Sequence, residues 1–106
     1  MKESDVQKKI IDFFHSIGAY TIKVIKANKA GVTDIVACVP IKITQDMVGK
    51  TIGVFVGAEV KRDEEARRIS DKKQPLQNRN IKQIKRAGGL AAKVISVEEV
   101  EDMLEI

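Results

Sequence analysis

Between Thr51 and Lys61 the chain reads Thr-Ile-Gly-Val-Phe-Val-Gly-Ala-Glu-Val-Lys, and this alternation constrains the fold more than any other stretch. The run is rich in β-branched residues, and in an extended chain successive side chains point to opposite faces. One face then carries Ile52, Val54, Val56, Ala58 and Val60, an unbroken apolar set that calls for burial. The opposite face carries Glu59 and Lys61, with Gly53 and Gly57 leaving open space beside them. Two charged groups are therefore expected at the rim of a core. A second short strand, 34–39, begins with the Asp34 carboxylate and continues as Ile35-Val36-Ala37-Cys38-Val39, which puts Asp34 at a strand end near the same rim.

The flanking patterns supply the other layers. Val6, Ile10, Phe13, Phe14 and Ile17 recur at helical spacing, Ser4-x-x-Gln7 reads as a capping box, and Gly18 ends the helix. If the first turn reaches back to Glu3, its carboxylate lies over the apolar stripe. Tyr20 to Lys26 alternates as an edge or half-buried strand, 27–31 is a loop, and Pro40 ends the strand that follows. Residues 41–50 read as a hairpin connection and 62–70 as a charged, mobile segment. Gln77, Ile81, Ile84 and Gly88 mark a second helix with Pro75 in its first turn and Gly88-Gly89 at its end. A strand over 90–95 follows, and Ser96-x-x-Glu99 caps a last helix ending near Leu104. The order αβββαβα predicts an α/β fold with a mixed central sheet flanked by helices.

A length of 106 residues predicts one domain over the whole chain, 1–106. Its 43% hydrophobic and 32% charged content is too apolar for disorder. No run approaches the ~18 apolar residues of a membrane span, and Met1-Lys2-Glu3-Ser4-Asp5 has no signal-peptide core, so a cytoplasmic protein without a membrane partner is expected. The single cysteine, Cys38, excludes an internal disulfide and a cysteine-based zinc cluster and reads as a small core residue. Net charge is +4, but residues 61–86 hold ten Lys/Arg against four Asp/Glu, while 97–106 hold five acids and no base. That asymmetry points to a polyanion approached from one side. Four aromatics are too few for a base-stacking platform. His15 lies off the apolar stripe as a surface residue, which argues against a histidine-metal nuclease.

Hydrolysis of a phosphodiester must bring a nucleophile to an anion and stabilise the leaving alkoxide, and a divalent metal serves both needs. Mg2+ takes hard oxygen ligands and keeps several waters. Asp34 and Glu59 would supply carboxylates and Val60 a backbone carbonyl, while Lys61 would hold the attacking water, as base or as positioner. Taken singly, each feature has a plain structural reading: Glu59 and Lys61 as a surface ion pair, Asp34 as a turn residue, Glu3 as a helix-dipole partner, Gln77 as a helix-face polar group. Together, four polar groups sit at the apolar faces or ends of separate elements, in an order that can converge.

The chain resembles a stand-alone VRR-NUC domain, the virus-type replication-repair nuclease branch of the PD-(D/E)XK superfamily, along nearly its whole length. Gly31-Val32-Thr33-Asp34 is similar to the family's Gly-Val-Pro-Asp, with threonine in place of the usual proline. Glu59-Val60-Lys61 resembles its Glu-Val-Lys, and Gln77 its helical glutamine eleven residues before Gly88-Gly89. Glu3 resembles its first-helix acid. The resemblance implies a restriction-endonuclease-like αβββαβ core and Mg2+ or Mn2+ held by Asp34, Glu59 and the Val60 carbonyl, with Glu3 contributing directly or through water. It also implies Lys61 acting on the water and Gln77 steadying Lys61 or the water. The activity implied is a phage-type DNA endonuclease similar to Holliday-junction resolvases, a homodimer without a nucleotide cofactor, acting on branched or structured DNA in replication, recombination or repair. Arg62, Arg67, Arg68, Lys72 and Lys73, directly after the Glu59 strand, would then grip phosphates beside the scissile bond. Lys82, Lys85 and Arg86 either join them or complement a helix C-terminus. Two other readings stand beside this one: a non-catalytic DNA-binding or assembly module on the same fold, and a restriction-type sequence-specific nuclease, for which the chain offers little extra polypeptide.

Overall fold

The computed structural model describes residues 2–105, which run α1 (Glu3–Ser16), β1 (Tyr20–Lys23), β2 (Ile35–Cys38), β3 (Val56–Val60), α2 (Glu64–Lys73), α3 (Pro75–Arg86), β4 (Leu90–Val94) and α4 (Val97–Leu104). A short 3-10 turn, Gln45–Met47, lies in the segment expected as a hairpin connection. The arrangement is mixed α/β, but the strands form two small sheets instead of one: β1 pairs antiparallel with β2, and β3 pairs parallel with β4. No helix among the described residues is long and apolar enough to cross a membrane.

The start of α1 departs from the capping-box expectation. Lys2 is the N-cap, no side chain caps the helix, and Ser4 lies within the first turn beside Glu3 and Asp5. Both acids suit the positive end of the helix dipole. At the other end Ala19 N–H donates to Phe14 O at 3.0 Å and Gly18 N–H to His15 O at 3.1 Å, with Gly18 at φ +80°. This is a Schellman ending, which needs the left-handed backbone that glycine adopts without strain. The apolar stripe of α1 is half covered. It rests against the β1–β2 hairpin, yet Phe13 keeps 59% of its surface and no residue of α1 is fully buried. Two strands of four residues offer too little area to bury a fourteen-residue helix.

The Thr51 run also differs from expectation. Only Val56–Val60 takes strand form, matching the five residues of β4 that provide its ladder, from Val56 opposite Leu90 to Val60 opposite Val94. Parallel pairing requires a crossover, supplied here by α2 and α3. The crossover lies on the face expected to be open. A β-carbon at Gly57 would come within 2.8 Å of Ile84 Cδ1, so α3 occupies the space beside Gly57. The apolar row on the opposite face stays exposed, with Val60 at 73%. Burial therefore falls on the Gly57 and Glu59 face, because glycine admits Ile84 to the backbone there.

The core is small and centred on α3 and β4: Ile84, Ala87, Ala91 and Val94 are buried with Ala19 and Cys38. Two side chains of the first sheet tie it to this centre. Cys38 Sγ lies 3.7 Å from Ala87 O, and Tyr20 donates its hydroxyl to Asn80 Oδ1 at 2.9 Å while its ring meets Phe55 edge-on at 5.9 Å. Burial pushes the Cys38 thiol above its ordinary range, partly opposed by a hydrogen bond from the Gly89 backbone. The expected core role of Cys38 holds.

Candidate active site

Strand alternation places Glu59 and Lys61 on the side of β3 that faces α3. Lys61 extends the ladder by one bond, its N–H donating to Val94 O at 2.9 Å. Its side chain, 12% exposed, turns in toward three acceptors. The Lys61 ammonium nitrogen lies 2.9 Å from Gln77 Oε1, 3.1 Å from Gln74 Oε1 and 3.5 Å from Glu59 Oε1. A lysine ammonium has three N–H donors and no acceptor; two of them are given to the glutamine oxygens, and the Glu59 carboxylate stands beside it as an ion pair. Of the two partners the resemblance implies for Gln77, Lys61 or the water, the structure shows a hydrogen bond to Lys61. Gln74 was not singled out from the sequence; its position three residues before Gln77, one helical turn earlier, was the available signal.

Glu59 stands in register with Lys93 of β4, so a second lysine flanks it across the ladder. Lys93 turns aside, however, and its ammonium pairs with Asp71 of α2 at 2.8 Å. Glu59 and Gln77 open into a cleft of about 420 Å3 lined also by Tyr20, Leu76, Asn80 and Ile81. Lys61 and Gln74 border a second concavity of about 410 Å3 shared with Arg62, Glu65, Ser70 and Lys73. The Glu59–Lys61 pair thus lies between two hollows. A larger one, about 580 Å3, opens elsewhere along Tyr20 with His15, Thr21, Gln83 and Arg86, and includes neither Glu59 nor Lys61.

Asp34 belongs to the other sheet. Val24 N–H donates to Asp34 O at 2.8 Å, which fixes Asp34 one residue before β2, where the sequence predicts that it opens a strand over 34–39, and Gly31 at φ +79° turns the chain toward it. Thr33 donates its hydroxyl to Ile35 O at 3.2 Å, anchoring the loop where the related pattern has proline. The exposed Asp34 carboxylate accepts from Gln7 Nε2 of α1 at 3.4 Å, and Glu3 lies one turn before Gln7 on the same helix. The site residues therefore form two groups: Asp34 with the start of α1, and Glu59 with Lys61, Gln74 and Gln77. Among the described residues, no three His, Cys, Asp or Glu side chains converge closely enough to hold a metal ion. The donor chemistry of Asp34, Glu59 and the Val60 carbonyl, all hard oxygens, fits magnesium, while the donors are divided between the two sheets.

The basic segment is a helix where a mobile stretch was expected. Asp63 caps α2 by accepting from Ala66 N–H at 2.8 Å, and this bond, with a second from Arg62, holds the Asp63 carboxyl below its ordinary range. Arg67 has intramolecular partners: it binds Glu64, donates to Glu99 at 2.7 Å and reaches Lys93 O at 3.2 Å. The hydrogen bonds it donates to Glu64 and then to Glu99 raise its pKa above the usual arginine value. Glu99 in turn is lowered, chiefly by the Ile95 N–H and then by Arg67. Arg62, Arg68, Lys72 and Lys73 remain exposed on the side of the Lys61 concavity or along the same helix. Comparison with known proteins leaves the reading to this chain's own residues: no protein-family model matches it, no curated protein matches it, and no solved structure matches its fold.

Proposed function

We propose that the chain is a metal-dependent DNA endonuclease of the restriction-endonuclease-like, VRR-NUC kind, hydrolysing phosphodiesters in branched or structured DNA during replication, recombination or repair. One observation carries the reading: Lys61 is withdrawn from water and held between Gln77 and Glu59 on the strand bearing Glu-Val-Lys. A surface ion pair would leave both long side chains in solvent. The element order supports the finer fold, since α1, β1, β2, β3, α3 and β4 follow αβββαβ with α2 inserted. Asp34, Glu59 and the Val60 carbonyl would hold Mg2+, with Mn2+ as a substitute and Glu3 as a further oxygen. When bound, the ion supplies positive charge at the phosphate and a more acidic water. Lys61 orients water and places charge beside the phosphate, and Gln77 keeps it aimed at Glu59. Arg62, Arg68, Lys72 and Lys73 grip flanking phosphates, whereas Arg67 acts by holding α2 against α4. A homodimer, which would set two sites against two strands, is supported by the uncovered apolar row of β3 and stripe of α1.

The division of Asp34 and Glu59 between two sheets favours a second reading, a DNA-binding module on the same scaffold that does not cut. Labelled four-way junction, splayed-arm, duplex and single-stranded DNA incubated with Mg2+, Mn2+ or EDTA, alongside Glu59→Ala, decides between them. The expected result is metal-dependent cutting of the junction at symmetric positions, lost in Glu59→Ala. Binding without cutting in any metal would establish the module instead.

A further inference from the structure

Gln74 joins α2 to α3, and its backbone is fully used: its N–H donates to Ser70 O at 2.9 Å and its carbonyl accepts from Asn78 N–H at 3.3 Å. It is the N-cap of α3, where a short polar side chain ordinarily turns back to cap the helix. Its own side chain makes no such bond. Pro75 at the first helical position removes one of the donors that would need a cap, and Asn78 secures the junction by donating to Asp71 O at 2.9 Å. The Gln74 amide is thereby free for another task, and its oxygen meets Lys61 Nζ at 3.1 Å. With Gln77 Oε1 at 2.9 Å it forms a two-oxygen clamp from one helical turn.

From this we infer that Gln74 is a positioning residue for Lys61, an inference that rests on the endonuclease reading. Gln77, which lines the Glu59 cleft, and Gln74, which lines the concavity on the α2 side, bind the ammonium from the two hollows, so the second oxygen fixes its direction between them. Lys61 is then presented to Glu59 before substrate arrives, and its reorientation is removed from the reaction.

The test compares Gln74→Met, which keeps the length and loses the acceptor, with Gln74→Glu, which keeps an acceptor oxygen. Two readouts are taken: junction cleavage, resolved into kcat and KM, and the Lys61 ammonium resonance in 15N-labelled protein, assigned by its loss in Lys61→Met. For Gln74→Met the expected result is a kcat about tenfold lower, the size of one lost hydrogen bond to a charged group. KM stays within about twofold because the interaction acts on the held lysine and not on DNA binding. The ammonium signal broadens away, and Gln74→Glu restores both signal and most of kcat. A Gln74→Met protein with an unchanged ammonium signal overturns the proposal, whatever its activity. Should the wild type cut no DNA, the endonuclease reading fails, and loss of the signal in Gln74→Met alone still establishes the clamp.

Discussion

At Gly57 and at Gly89 an added β-carbon would lie 2.8 Å from Ile84, touching Cδ1 in one case and Cγ2 in the other. Ile84 is thus seated between two backbones, and this seat sets the distance between α3 and β3 across which Gln77 reaches Lys61. Gly57→Ala is expected to destabilise the fold by about 1–3 kcal/mol through overpacking, measured by urea denaturation. Adding Ile84→Val, which removes the Cδ1 methyl, recovers most of that loss; if the double variant loses the sum of both effects, the contact does not limit the packing. Gly57 was visible in the sequence as a gap beside Glu59. What would fill it was not, because periodicity identifies the apolar side of α3 without saying which backbone Ile84 will meet.

The helices show which local signals suffice and which do not. Pro75, the apolar spacing to Ile84 and Gly88-Gly89 made α3 readable at both ends, and Ser96 caps α4 as its motif predicts, accepting from Glu99 N–H at 3.2 Å. The twist in that cap is the Glu99 carboxylate, which reaches back to Ile95 N–H and also across to Arg67. Helix α2 escaped a sequence reading because it offers only Ala66 and Ile69 as apolar residues, and its anchors, Glu99 and the Lys93 carbonyl, lie far along the chain. Likewise the Thr51 run revealed two faces but not which one would be covered. The Glu99 carboxyl titrates below its ordinary value when folded, so its contribution is complete above the ordinary glutamate range and is lost as pH falls through the lowered value. Thermal melts of wild type and Glu99→Gln are therefore expected to differ most near neutral pH, with the gap closing below about pH 4, under the unperturbed glutamate value. A gap of equal size at pH 7 and in acid would mean that the carboxylate charge adds nothing to the joint between α2 and α4.

With a Cα radius of gyration of 16.1 Å and extents of 49 × 37 × 27 Å, the molecule is more open than the ~13 Å expected of a compact chain near this length. The cause lies in the two sheets, the first of which is tied through Tyr20 and Cys38 to α3 and its C-terminal end, while the row from Ile52 to Val60 and the stripe from Val6 to Ile17 remain wet. Sedimentation velocity at micromolar concentration is expected to show a dimer, and Val56→Lys on that row to shift it to monomer without unfolding it. A wild-type monomer across the concentration range would separate the apolar row from assembly. Pairing distances along the chain have a further consequence, one of timing. The β1–β2 ladder joins near neighbours, whereas β3 must await β4 on the far side of two helices. Because short-range contacts form faster than long-range ones, and the N-terminal part leaves the ribosome first, the ladder beside Asp34 is complete while the strand bearing Glu59 is still unpaired. The growing chain acquires its two groups of candidate site residues in succession, and the second is assembled only after Val94 has emerged.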